Sequence, residues 1–134
     1  MRHQRAEQPL KLDGPETAAR FFAGCISESD PARESLWVAH VDARANCLHV
    51  SHYEGGETGA PFPLGAIITD AARHGSCGIL LAHNHPSGDA RPSTADCLAT
   101  RRLAITANAL GCRVIDHLIF AGEDCSSLRQ LGFL

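Results

Sequence analysis

Apolar positions along the chain follow two periods. Gly78-Ile79-Leu80-Leu81-Ala82 is short, almost wholly apolar and bounded by glycine, which predicts a buried strand ending at His83. Glu34 to Asp42 and Cys47 to Tyr53 are rich in apolar and β-forming residues; with Ala43-Arg44-Ala45-Asn46 between them they predict a hairpin. Val114 to Phe120 predicts a further strand.

Helical signals lie between these runs. Gly14-Pro15-Glu16 starts a helix with proline in the first turn, continued by Thr17 to Phe22. Leu64 to His74 predicts a second helix, stopped by Gly75. From Thr94 to Leu110 a longer helix carries an apolar stripe at Ala95, Ala99, Leu103, Ala107 and Leu110, with Gly111 as its stop. Ser126 to Leu131 predicts a short terminal helix, and Glu54 to Pro61 a flexible loop.

This order predicts an α/β domain, a mixed β-sheet with helices packed against it. Its 134 residues suit one domain, read as 13–134 behind a flexible tail at 1–12. The opening Met1-Arg2-His3-Gln4-Arg5-Ala6-Glu7-Gln8 leads into no apolar stretch, so it is not read as a secretory signal. No apolar run approaches the roughly 20 residues that cross a bilayer. Six cysteines show no C-x-x-C spacing and read as reduced, small apolar residues of a cytoplasmic protein.

The chemistry concentrates in His83-Asn84-His85-Pro86-Ser87-Gly88 and Pro92-Ser93-Thr94-Ala95-Asp96. Alternation along a strand turns His83 and His85 the same way, and Ser93-Thr94-Ala95-Asp96 has the form of a capping box that opens a helix. Singly, each residue has a plain role: Ser93 as N-cap, Asp96 as the carboxylate at its own helix terminus, the histidines as polar residues where a strand leaves the core. Together, two histidines and a carboxylate make the ligand set of a hydrolytic zinc centre.

Such a centre needs a base. The helical H-E-x-x-H arrangement is absent, so the base comes from elsewhere. Glu34 fits best, because a strand start can lie beside another strand's end, although Glu16, Glu54, Glu57 and Glu123 are also available.

Glu34, His83-Asn84-His85-Pro86, Ser93 and Asp96 resemble the JAMM motif of MPN-type (JAB) metalloproteases. With His85-Pro86-Ser87-Gly88, Val114-Ile115-Asp116-His117-Leu118-Ile119 and the closing Ser126-Ser127-Leu128-Arg129-Gln130-Leu131-Gly132, the chain is similar to the RadC branch in particular, from about Leu12 to Leu134. The resemblance implies a layered architecture like that of cytidine deaminases. It also implies Zn2+ held by His83, His85 and Asp96, Glu34 as base and proton shuttle, and Ser93 as a donor to the oxyanion. Its partner would be a peptide or protein substrate, for example a ubiquitin-like conjugate. Longer RadC proteins carry a helix-hairpin-helix region for which this length leaves no room. Where the branch usually has Pro-Arg-Glu, this chain has Pro63-Leu64-Gly65.

Other functions fit the sequence less well. A DNA-repair or mobile-element role follows from the naming of RadC proteins, but a net charge of −3 and the lack of a basic stripe with aromatics disfavour direct nucleic-acid binding. A metal-free scaffold is disfavoured because every motif position is present. A zinc deaminase would need H-x-E and P-C-x-x-C, and neither occurs. Asp116-His117 can either support the metal site or be a polar pair at a strand end. His40, facing the side of Leu36 and Val38, reads as a core histidine, His49 and His52 as hairpin residues outside any ligand set, and Arg101-Arg102 as a solvated helix face.

Overall fold

A computed structural model describes residues 10–55 and 62–134. In chain order the elements are α1 (Pro15–Ser27), β1 (Ser35–Val41), β2 (Cys47–Glu54), α2 (Leu64–His74), β3 (Gly78–Asn84), α3 (Thr94–Ala109), β4 (Arg113–Ala121) and β5 (Asp124–Ser127). The strands form one sheet in the order β2-β1-β3-β4-β5. β3 runs antiparallel to β1 and parallel to β4, and β2 and β5 close the edges in antiparallel pairing. This is the mixed α/β sheet that the sequence predicts.

Two cores lie on the two faces of that sheet. Val38, Ile79 and Leu81 pack against Ile67 and Ala71 of α2 and Leu103 and Ala107 of α3. On the other face Ala39, Val41, Leu80, Ala82 and Leu118 pack against Ala18 and Phe22 of α1. β3 is buried along its whole length, which explains its unbroken apolar run. Packing at Gly78 is close: a Cβ would stand 2.5 Å from Ile115 Cδ1 and 2.9 Å from Val41 Cγ2, so those side chains would have to shift.

The hairpin turn is built by Asp42, whose Oδ1 accepts from the backbone N–H of Arg44 and of Asn46, each at 2.9 Å. It leaves Ala45 at φ 66°, a left-handed conformation that suits glycine better. Helix boundaries also follow the sequence. Pro15 opens α1, Ser93 caps α3, and the left-handed Gly75 closes α2.

Two expectations are corrected. Ser126 to Leu131 is not a helix: Ser126 and Ser127 belong to β5, paired with Ile119 and Leu118 of β4. Non-local bonds override the local helix formers here. Ser127 Oγ donates to Asp116 Oδ2 at 2.6 Å, and the Arg129 guanidinium donates to the carbonyls of Ile115 and Val114. The stripe on α3 is also shifted, since Leu110 is exposed and the buried residues are Thr100, Leu103 and Ala107. A threonine can be buried there because its Oγ1 donates to Asp96 O at 2.7 Å.

Of the expected flexible tail at 1–12, residues 1–9 lie outside the described residues, but its end is ordered: Lys11 bridges to Asn46 and Leu12 is buried in the core beside α1. Most of the expected loop, 56–61, also lies outside the described residues; Glu54 itself ends β2. Among the described residues no helix is long and apolar enough to cross a membrane.

Candidate metal centre

Antiparallel pairing of β1 with β3 sets Leu36 opposite His83, which brings the start of β1 to the end of β3. Glu34, His83, His85 and Asp96 converge at that point, each offering one ligand atom, all within 4.8 Å of one another. His83 Nε2 lies 2.9 Å from His85 Nε2, 3.5 Å from Asp96 Oδ1 and 3.7 Å from Glu34 Oε2, while His85 Nε2 lies 3.1 Å from Asp96 Oδ2.

Both imidazoles are held from behind. His83 Nδ1 is 2.7 Å from His117 Nε2, and His117 Nδ1 is 2.7 Å from Thr100 Oγ1. The Thr100 hydroxyl already donates to Asp96 O, so it accepts from His117 Nδ1–H, which leaves His117 Nε2 to accept from His83 Nδ1–H. Burial, then the neighbouring His83, push the His117 imidazole down to about 3, so it stays neutral as that chain requires. His85 Nδ1 donates to the carbonyl of Asp89 at 2.8 Å. Both Nε2 lone pairs are therefore free and face each other. Two acceptor nitrogens at 2.9 Å, flanked by a carboxylate, fit a cation between them.

Asp96 serves two structures at once. Its Oδ2 accepts from Ser93 N at 2.9 Å, and Ser93 Oγ accepts from Asp96 N at 3.0 Å, the reciprocal pair of a capping box. Burial raises its carboxyl, but the neighbouring His83 imidazole and the hydrogen bond from the Ser93 N–H outweigh that and hold it well below the ordinary carboxylate range. It is thus ionised at neutral pH. The cap and the metal-facing carboxylate, competing readings of one residue, are compatible because α3 begins at the cluster.

Glu34 differs from the other three in being the exposed member, with 54% of its side chain accessible. Its backbone is nevertheless fixed. Asn84 Oδ1 accepts from Ser35 N at 2.8 Å, Asn84 Nδ2 donates to Arg33 O at 2.9 Å, and Gly55 N donates to Glu34 O at 2.8 Å. The buried Asn84 amide therefore clamps the residues on either side of Glu34, and a Cβ on Gly55 would come within 3.0 Å of Glu34 O. Ser93 lines the open cleft beside His85, Ser87 and Asp89.

Four of the five site residues named from sequence thus form one cluster, with Ser93 at its rim. Asp116-His117 divides: His117 backs His83, whereas Asp116 points to the other face and accepts from Ser127 and from the backbone of His117 and Arg129. Sequence reasoning missed Asn84 and Thr100. The available signal was a polar residue at a position otherwise apolar and buried, which must find several partners.

Residues 12–133 match the family model described as a RadC-like JAB domain. Similar relatives include a UPF0758 protein of Bordetella petrii, 29% identical over 98% of this chain and 58% of its own length. Another, from Chloroflexus aggregans, is 39% identical over 94% of this chain and 55% of its own length. A third, from Moorella thermoacetica, is 43% identical over 51% of this chain and 30% of its own. The chain spans little more than half the length of the first two.

Proposed function

The chain belongs to the family of RadC-like JAB domains, and from that membership we propose that it is a zinc-dependent hydrolase of amide bonds, a metallopeptidase or isopeptidase of the JAMM type. The observation that carries this reading is the convergence of two inward-facing imidazole Nε2 atoms with the Asp96 and Glu34 carboxylates. His83, His85 and Asp96 would hold the metal, since their donor set is that of a catalytic zinc site with one position left open. When bound, zinc acts as a Lewis acid that polarises the substrate carbonyl and acidifies water beside it.

The remaining work falls to this chain's own groups. Glu34, exposed at the mouth and held by the Asn84 clamp, takes a proton from the attacking water and returns it to the leaving amine. The Ser93 hydroxyl donates a hydrogen bond to the oxygen that becomes negative as the carbonyl is attacked. His117 and Thr100 keep His83 in the tautomer whose Nε2 lone pair faces inward. Asp96, ionised by its own cap, supplies negative charge without a proton to lose.

A peptide or protein is favoured as substrate over nucleic acid by the net charge of −3. Six free thiols fit a cytoplasmic location. The test uses zinc-loaded protein on a linear peptide library and on lysine-linked conjugates of a ubiquitin-like tail. Wild type should cleave an amide in a chelator-sensitive way, and Glu34→Gln should lose at least about 100-fold in rate while keeping its zinc. Cleavage that persists in Glu34→Gln, or that ignores the chelator, overturns the assignment.

A further inference from the structure

A second group of ligand-type side chains converges far from that centre. His49 on β2 and Asp70 and His74 on α2 each offer a ligand atom, and these lie within 4.8 Å of one another. Asp70 and His74 are four residues apart, so one face of α2 presents both toward the strand that carries His49. β1 locates the two groups on one side of the sheet. His49 pairs with His40, while Leu36 pairs with His83, about 13 Å away along the strand at the usual rise per residue.

We propose that His49, Asp70 and His74 form a second site for a zinc-class divalent transition metal, which fastens α2 to the edge strand β2. Two imidazoles and one carboxylate select zinc, nickel or copper over magnesium or calcium. The carboxylate is already oriented, as a ligating one usually is: Ser51 Oγ donates to Asp70 Oδ2 at 3.0 Å and Tyr53 OH at 3.4 Å. A plain histidine–aspartate hydrogen bond does not explain the group. His49 Nε2 stands 3.9 Å from Asp70 Oδ2, beyond hydrogen-bond range. Ligand atoms each about 2.0–2.1 Å from one tetrahedral ion lie about 3.4 Å apart, so a small closing movement suffices. The rings of His49 and His74 are stacked at 4.1 Å, and all three residues are half-buried, which gives an ion a route in.

An independent observation points the same way. His40 is fully buried beside the group, its ring centroid 5.9 Å from that of His49 and 6.4 Å from that of His74. Its Nδ1 pairs with Ser76 Oγ at 3.0 Å, yet its Nε2 has no partner among the described residues. Buried imidazole nitrogens are seldom left so. With Nδ1–H donated to Ser76, His40 leaves an unpartnered Nε2 lone pair buried beside the group.

The site is separate from the proposed catalytic centre, so the experiment removes that centre first. The full chain carrying His83→Ala and Asp96→Ala is titrated with Co2+ and followed by visible absorption, with zinc content measured by atomic emission. One metal per chain should remain, with d–d bands of nitrogen and oxygen ligation and no thiolate charge-transfer band. Adding His74→Ala, or His49→Gln, should weaken binding at least 100-fold. In the otherwise wild-type chain, His74→Ala alone should lower zinc from two per chain to one, a readout that does not depend on the double variant folding. Binding that is absent from the double variant, or unchanged by both His74→Ala and His49→Gln, overturns the site. A wild-type chain that loads only this second site would instead overturn the catalytic assignment and leave this one standing.

Discussion

The two histidine clusters share donor types and a face of the sheet, yet they are built differently. At the end of β3 each imidazole is fixed from behind, His83 by His117 and His85 by the Asp89 carbonyl, so both Nε2 atoms turn inward. At His49 and His74 the rings stack on each other, and the carboxylate of Asp70 is the member that is held. The larger difference is Glu34. A second carboxylate, exposed but with a clamped backbone, stands beside the first cluster, and none joins the second among the described residues. Ligand types argue for a metal, whereas a positioned base beside an open cleft argues for a reaction.

The sharpest way to break this contrast is to delete a ligand. His83→Ala or Asp96→Ala should lower zinc affinity at the first cluster by at least about 100-fold, measured by competition with a chromophoric chelator, and leave the second cluster's capacity intact. Asn84→Ala probes the proposed base, Glu34, instead of the proposed ligands. It should keep zinc, cut amide hydrolysis by about 10- to 100-fold as Glu34 drifts, and cost about 1–3 kcal/mol in urea unfolding, because Ser35 N–H and Arg33 C=O lose a buried partner.

Acid sharpens the comparison from the other side. Burial pushes His40 from 6.5 down to about 4, so the unfolded chain binds the extra proton between those values. Its contribution is complete above pH 6.5 and declines as pH falls toward 4, at a slope of up to about 1.4 kcal/mol per pH unit visible in denaturation midpoints of metal-free protein. The smallest effect is a control in the hairpin turn, away from both clusters. Ala45→Gly should stabilise by roughly 0.5–1 kcal/mol by relieving the positive φ, without changing metal content.

Much of this was legible in the sequence because the signals were local. The apolar run of β3, the proline and glycines bounding the helices, and the alternation of His83 and His85 each act within a few residues. Glu34 could be placed because a strand start meets a strand end in an antiparallel pair. Failures came where distant residues decide. The terminal segment has helix-forming residues, yet β4, Asp116 and the Arg129 guanidinium draw it into a strand and turns. Asn84 and Thr100 act across 51 and 17 positions of sequence, which no periodicity encodes. Nothing local to His40 or His49 marks either as a ligand, because only the packing of α2 brings Asp70 and His74 to them.

The central claim is that His83, His85 and Asp96 bind zinc beside Glu34. Anomalous diffraction at the zinc edge, on crystals grown with one equivalent of zinc, tests it most directly. The account predicts a peak bonded to both Nε2 atoms and the Asp96 carboxylate, with the Glu34 carboxylate close by but not ligated. A peak confined to cysteine sulfur or to the His49 group, with none between His83 and His85, would contradict it.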